Sequence, residues 1–208
     1  MTERYTLDNG MTILIKEMHH APVASFWMWY RVGSGDERPG ITGISHWVEH
    51  MLFKGTAQFP KGEIDRQIAR SGGLLNGMTW LDWTTYLEVL PSHEIDLGFR
   101  IEADRMINSV FDPDEVATER TVIISERQGA ENSPSFLLDE EVKAAAFRIH
   151  PYHTDTIGDM HDLLNMQRED LRSHYQTYYR PNNAIAVLVG DIDGEQALDR
   201  LQTLFGSI

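Results

Sequence analysis

The chain has 208 residues, of which 41% are hydrophobic and 10% aromatic, and its formal net charge is −14. These values are typical of a folded globular protein, and the length suffices for one domain or two small ones. The negative charge disfavours nucleic acids and anionic membrane surfaces as partners. We interpret the acidity as a contribution to solubility, and the weaker alternative is that it attracts basic peptides.

The absence of cysteine limits the chemistry of any metal site in this chain. No disulfide can form, and a zinc site would have to use histidine and carboxylate ligands. Residues 1–10 lack a basic segment followed by an apolar run, and no apolar stretch is long enough to span a bilayer. We therefore expect a cytoplasmic protein of a bacterium or archaeon, with an organelle matrix as the alternative.

The predicted elements begin with strands. Asn9-Gly10 is a two-residue turn signal inside a β-hairpin over residues 4–17. Residues 23–32 predict a strand with apolar residues on both faces, as a central strand has. Residues 40–56 then contain a predicted helix. The remaining predicted elements are a helix over 63–71, strands over 74–80 and 84–90, helices over 94–108, 114–131, 137–150 and 168–179, a strand over 184–189 and a last helix ending near 205.

Strands and helices are mixed along the chain without strict alternation, and hairpins are present. This order predicts an α+β fold with a largely antiparallel sheet of about six strands packed against helices. No repeat, low-complexity tract or linker interrupts the sequence, so we predict a single domain over residues 1–208.

The helix predicted within 40–56 carries an H-x-x-E-H pattern, His46-Trp47-Val48-Glu49-His50. Four positions separate the two histidines, so they project from one helix face about one turn apart, as two ligands of one metal ion must. Glu49 adjoins His50, which matches the inverted zinc motif with its catalytic glutamate beside the second histidine. The alternative is a buried helix whose histidines are satisfied by hydrogen bonds.

Local signals support that helix. Thr42 or Ser45 is the candidate N-cap, and Gly55 is the candidate terminator. Similar signals mark the helix predicted over 114–131, where Asp112 is a candidate cap and Pro113 suits the first helical position.

A hydrolytic zinc site needs three protein ligands and an open position for water. The helix over 114–131 offers four carboxylate candidates: Glu115, Glu119, Glu126 and Glu131. Glu119 and Glu126 are seven positions apart and therefore share one helix face, two turns separated. The spacing leaves two readings equally open, metal binding and surface salt bridges.

Three stretches, in this order, closely resemble the pitrilysin/insulinase family of zinc peptidases: GISHWVEHMLFKGT, GGLLNGMTWLDWTTYLEVLP and ERTVIISERQ. The resemblance runs through the whole chain, and the nearest branch is similar to mitochondrial processing peptidase β subunits and their bacterial relatives. It implies that residues 1–208 are an N-terminal zinc-peptidase domain, one half of a processing-peptidase-like clamshell.

The resemblance also implies roles for individual residues. His46, His50 and Glu126 match the zinc ligands of the family, and Glu49 matches its general base. Glu119 matches a second acidic residue of the same helix, which supports the catalytic site by orienting a ligand histidine.

Three further residues match positions beside the substrate. Asn76 matches an asparagine on a strand that holds the substrate backbone, and Gly77 follows it where many relatives have alanine. Phe53 matches an apolar residue that lines the cleft, and ordinary core packing is the equal alternative for it.

The implied function is a zinc-dependent endopeptidase with Zn²⁺ as cofactor. Glu49 would take the proton of the attacking water, and the peptide substrate would pair in extended form with a sheet edge near residues 74–79. Such backbone pairing is broad in selectivity, so we expect peptides or unfolded, presequence-like segments as substrates.

Single-chain members of this branch carry a second domain of similar fold without the zinc motif. We therefore expect a C-terminal homologous domain or a partner subunit, in a homodimer or heterodimer. The alternative function is a zinc-binding but inactive half that acts alone only as a structural or interaction module. A structural subunit of respiratory-core type is a weaker reading, because the zinc motif is intact.

Overall fold

The computed structural model describes all 208 residues and contains one six-stranded mixed sheet. The strands are β1 (Glu3–Thr6), β2 (Thr12–Glu17), β3 (Val23–Tyr30), β4 (Leu74–Thr79), β5 (Thr84–Pro91) and β6 (Ala184–Gly190). They lie in the order β1-β2-β6-β3-β5-β4, and only β2 and β6 are parallel. The predicted α+β fold, with about six strands in a largely antiparallel sheet, is confirmed.

Eight α-helices accompany the sheet. They are α1 (Ile44–Met51), α2 (Glu63–Arg70), α3 (Ile95–Asn108), α4 (Pro113–Glu131), α5 (Pro134–Ala146), α6 (Met160–Asn165), α7 (Arg168–Tyr178) and α8 (Gly194–Phe205). Helices α1, α2, α3 and α8 contact the strands directly. No helix has the length and apolar content needed to cross a membrane.

Most predicted elements are present, with differences at their ends. The Asp112 cap of α4 is confirmed, because its carboxylate accepts hydrogen bonds from two backbone N–H groups of the first turn. Helix α5 begins at Pro134 and ends at Ala146, earlier at both ends than the predicted 137–150. Helix α6 was not predicted, since six residues are too few to show a helical period.

The central strand β3 shows how the sheet forms the core. Ala24, Phe26, Met28 and Tyr30 are buried on one face, while the residues between them are half-buried on the other. This alternation follows from the two-residue period of a strand. Helix α3 packs on the buried face, and Phe99 makes an edge-to-face contact with Phe26 at 4.8 Å between ring centroids.

A close crossing of two segments fixes the loop that precedes α1. Gly43 (φ 84°) and Gly158 (φ 85°) lie against each other, and a Cβ on Gly43 would come within 2.4 Å of the Ile157 carbonyl oxygen. Asp162 of α6 completes the crossing, accepting hydrogen bonds from the Thr42 N–H and hydroxyl. The chain after α5 therefore determines where α1 begins.

A fully buried charged cluster lies between β5 and α3. Arg105 donates to Glu88 Oε1 at 3.0 Å and to Glu102 Oε2 at 2.9 Å. Its guanidinium also lies over the rings of Tyr86 and Phe53, 4.3 and 5.4 Å from their centroids. Burial, followed by the nearby Glu102 carboxylate, raises the pKa of Glu88 well above its ordinary value.

We expect Arg105→Leu to lower the free energy of unfolding by about 3–5 kcal/mol, because it leaves two buried carboxylates without their cation. Urea unfolding followed by circular dichroism measures the change. Arg100→Leu is the control, since Arg100 lies on the same helix and pairs with Asp96 at an exposed site. Its effect should stay within about 1 kcal/mol. Equal losses in the two variants would contradict a structural role for the buried cluster.

Candidate metal centre

Helix α1 packs into the core through one face, and a side chain from outside the helix caps its N-terminus. Trp47, Val48 and Met51 are fully buried, so the opposite face carries the two histidines. Neither predicted cap residue caps the helix through its side chain. Instead the buried Glu37 carboxylate accepts hydrogen bonds from Gly43 N–H at 2.7 Å and Ser45 N–H at 2.8 Å.

This correction has a physical reason. Thr42 donates its hydroxyl to Asp162, and the Ser45 hydroxyl lies 3.3 Å from His174 Nε2, so both side chains are engaged in tertiary contacts. A carboxylate at a helix N-terminus also interacts favourably with the helix dipole. Burial opposes its ionisation and raises the pKa of Glu37 to about 7.

The two histidines and Glu126 bring three metal-ligating atoms together. His46 Nε2 and His50 Nε2 are 3.1 Å apart, and Glu126 Oε2 lies 4.0 and 3.7 Å from them, respectively. A tetrahedral zinc ion with bonds of about 2.0–2.1 Å separates its ligand atoms by about 3.4 Å. The three atoms therefore have spacings that fit one zinc ion, and two neutral imidazoles with a carboxylate are a donor set that zinc accepts.

Glu119 sits behind His50. Its Oε1 lies 2.7 Å from His50 Nδ1, so it can accept a hydrogen bond from an Nδ1–H group and leave Nε2 to bind a metal ion. Burial raises the pKa of Glu119, but the hydrogen bonds from His50 and Lys54 outweigh it and hold the pKa below its ordinary value. Glu119 is therefore an ionised acceptor for His50.

The charge state of His46 also suits a ligand. Burial, and then the proximity of His50, lower the pKa of His46 to about 4. The imidazole is accordingly neutral near pH 7 and offers a lone pair.

The other two glutamate candidates on α4 form salt bridges away from this group. Glu115 pairs with Lys61, and Glu131 pairs with Arg127. Salt bridges therefore occur at these two positions, and Glu126 is the α4 carboxylate that lies with the two histidines.

Glu49 lies next to the ligand group and is held by the edge strand β4. Only 7% of its surface is exposed, and its Oε2 accepts a hydrogen bond from the Thr79 hydroxyl at 2.6 Å. A Cβ on Gly77 would approach Glu49 Oε1 to 2.8 Å and the Phe53 ring to 3.0 Å, so the glycine leaves room for both side chains. Burial raises the pKa of Glu49.

The remaining predicted residues line the same cleft, which has a volume of about 350 Å³. Asn76 is exposed on β4, and its Oδ1 accepts a hydrogen bond from the Gly77 N–H. Phe53 both lines the cleft and packs against the core, so the two readings of this residue are compatible. A cavity of about 370 Å³ beside Tyr175 and Arg180 is slightly larger but contains no group of metal-ligating atoms.

Sequence reasoning did not single out three residues that the structure places around the site. Thr79 contacts Glu49, Lys54 contacts Glu119, and Glu37 caps α1. Only Lys54 carried a sequence signal, since four positions separate it from His50 and this spacing places two residues on one face of a helix.

Comparisons with known proteins relate the chain to a family of peptidases. The insulinase family (peptidase family M16) matches residues 12–160, and the peptidase M16 inactive domain matches residues 165–208. The chain is 32% identical over 208 residues to zinc protease PqqE of Helicobacter pylori, covering 99% of this chain and 47% of that protein. It is 28% identical over 207 residues to mitochondrial-processing peptidase subunit beta of Lentinula edodes, covering 100% of this chain and 44% of that protein.

Solved structures show the same fold. A protease from Helicobacter pylori matches with a TM-score of 0.96 at 32% identity, covering 100% of this chain and 50% of that one. The first half of the periplasmic protease PqqL from Escherichia coli matches with a TM-score of 0.90 at 26% identity, covering 100% of this chain and 46% of that one. The chain thus spans about half the length of the curated relatives named here. From the extent of the family match, we conclude that the chain belongs to the insulinase family, peptidase family M16.

Proposed function

We propose that this chain is the zinc-binding domain of an endopeptidase that hydrolyses peptides or unfolded segments. The observation that carries the proposal is the convergence of His46, His50 and Glu126 beside the Glu49 carboxylate. Membership of a family whose relatives are named zinc proteases supports the same reaction.

His46, His50 and Glu126 would hold the ion through their Nε2 and carboxylate atoms. When bound, zinc would polarise the scissile carbonyl and lower the pKa of the attacking water. Glu49 is the proposed general base: it accepts a proton from that water and later delivers it to the leaving amine. Its raised pKa favours this exchange, because a base works best when its pKa approaches the working pH.

The edge strand β4 is the proposed binding site for the substrate backbone. It pairs with β5 on one side only, so its other edge is available for an extended peptide. The Gly77 N–H on β4 is bonded to Asn76 Oδ1, and a substrate carbonyl that pairs there would replace that contact. Phe53 would contact an apolar side chain of the substrate near the scissile bond.

We also propose that a C-terminal homologous half, or a partner subunit, completes the cleft. The chain spans about half of its relatives, and the metal centre opens on one side to solvent, with 44% of the Glu126 side chain exposed. A second half would exclude water there and strengthen the electrostatic interactions of the site.

We expect Glu49→Gln to abolish turnover while zinc content is retained, because Glu49 is not one of the three proposed ligands. Cleavage of an unstructured, fluorescence-quenched peptide by the 208-residue chain measures turnover, and atomic absorption of the same sample measures zinc. Removal of zinc by a chelator should also stop cleavage.

Cleavage by Glu49→Gln at the wild-type rate would contradict the general-base role. If the wild-type chain binds zinc but shows no turnover, activity of this chain alone is contradicted. The alternative function, a metal-loaded half that works only with its partner, would then be supported.

We expect Thr79→Val to lower kcat by roughly 10- to 100-fold with little change in KM, because Glu49 loses the hydrogen bond that orients it. Thr79→Ser retains a hydroxyl and should restore most of the activity. The matched control is Thr85→Val, which removes a buried hydroxyl that donates to the Met28 carbonyl rather than to Glu49. The peptide assay distinguishes them, and equal losses for Thr79→Val and Thr85→Val would refute a specific role of Thr79.

A further inference from the structure

Lys54 lies in the turn that follows α1, four positions after His50. Its Nζ is 2.5 Å from Glu119 Oε2, while His50 Nδ1 is 2.7 Å from Glu119 Oε1. The two oxygens of one carboxylate, whose side chain is only 5% exposed, are therefore held by two side chains from the same stretch of chain. With both oxygens occupied, rotation of the carboxylate is restricted and Oε1 stays directed at His50.

The position of Lys54 is unexpected on electrostatic grounds alone. An ammonium group near a divalent cation repels it, so a bare charge at this place opposes metal binding. A favourable effect of Lys54 on the metal must therefore act through a contact. The Glu119 carboxylate supplies that contact, because it touches both Lys54 and the ligand histidine.

Holding Glu119 also fixes helix α4 against α1. Glu119 and Glu126 share one face of α4, and Glu126 has two histidine nitrogens within ion-pair distance, at 3.7 and 4.0 Å. The Glu126 side chain is 44% exposed, so the packing around it restrains it little. Its approach to the histidines thus depends on how α4 is placed, and the buried Glu119 carboxylate connects α4 to His50 of α1.

We propose that Lys54 is a positioning residue of the metal centre. It holds Glu119 so that His50 presents its Nε2 lone pair and Glu126 reaches the same point. The inference rests on the proposed function, since it treats His46, His50 and Glu126 as a zinc site.

The test is the zinc affinity of the 208-residue chain, measured by competition with a chromophoric chelator and independent of any peptidase activity. Lys54→Met keeps most of the apolar stem and removes the ammonium, and we expect it to weaken zinc binding by about tenfold. Lys54→Arg restores a cation with hydrogen-bond donors and should return the affinity to within about threefold of wild type.

The chain offers a matched control in Lys61. Lys61 Nζ lies 2.5 Å from Glu115 Oε1, and Glu115 precedes Glu119 by one turn of α4. Lys61→Met therefore makes the same change of charge and breaks a salt bridge to the same helix, away from the histidines. Its zinc affinity should equal that of wild type.

A double variant checks the route of the effect. In a Glu119→Gln background the carboxylate that Lys54 holds is already lost, so Lys54→Met should not weaken zinc binding further. Circular dichroism of the metal-free proteins verifies folding. If Lys54→Met does not fold, Lys54→Leu replaces it, and we expect the same weakening of zinc binding.

The proposal would be overturned if Lys54→Met bound zinc as tightly as wild type or more tightly. Loss of the repulsion between the Lys54 ammonium and the zinc ion would then outweigh the loss of positioning. An equal loss in Lys61→Met would overturn it as well. If the wild-type chain fails to bind zinc at all, the proposed function fails with it, whereas tight wild-type binding with an unaffected Lys54→Met defeats the role of Lys54 alone.

Discussion

The contact between α1 and α4 is the constraint on which the site depends. The two histidines come from one helix turn, and any helix with that spacing would bring them together. The third candidate donor, Glu126, lies far along the sequence and comes near them because α4 packs against α1, where Glu119 contacts His50. Arg120 strengthens the crossing, since its guanidinium lies over the Trp47 ring at 4.8 Å.

Segments outside α1 and α4 also hold these two helices in place. Arg120 also donates to the backbone carbonyls of Leu163 and Met166, at the end of α6. Asp162 of the same helix holds the loop before α1, and Glu37 caps α1 itself. Short, polar and irregular segments therefore determine the geometry of the metal centre as much as the regular elements do.

Three glutamates within this small volume have different environments and hence different chemistry. Glu49 is buried against β4, which raises its pKa, while Glu119 is ionised between His50 and Lys54. Glu126 is half-exposed and directed at the histidines. The three residues are of one type, so their roles differ because of burial and neighbouring charges. Glu49 is the proposed proton acceptor, Glu119 is the anion that supports His50, and Glu126 is a proposed ligand.

The sequence predicted those features that depend on local periodicity. The H-x-x-E-H spacing placed two histidines on one helix face, and the central position of β3 and the Asp112 cap were also readable from local sequence. Spacing alone did not separate Glu126 from Glu115, because the Lys61 side chain that pairs with Glu115 lies far from it in the sequence. The Glu37 cap and the Thr79 contact likewise exist only after the chain has folded, and α6 is too short for a periodic signal.

We propose that His46, His50 and Glu126 form one zinc centre. The most direct test of this proposal is anomalous X-ray diffraction at the zinc edge from crystals of the chain grown with zinc. We expect one strong peak bounded by the two Nε2 atoms and the Glu126 carboxylate, with Glu119 outside bonding distance and hydrogen-bonded to His50. The absence of a peak at this point, or a zinc ion bound by Glu119 in place of Glu126, would contradict the proposal.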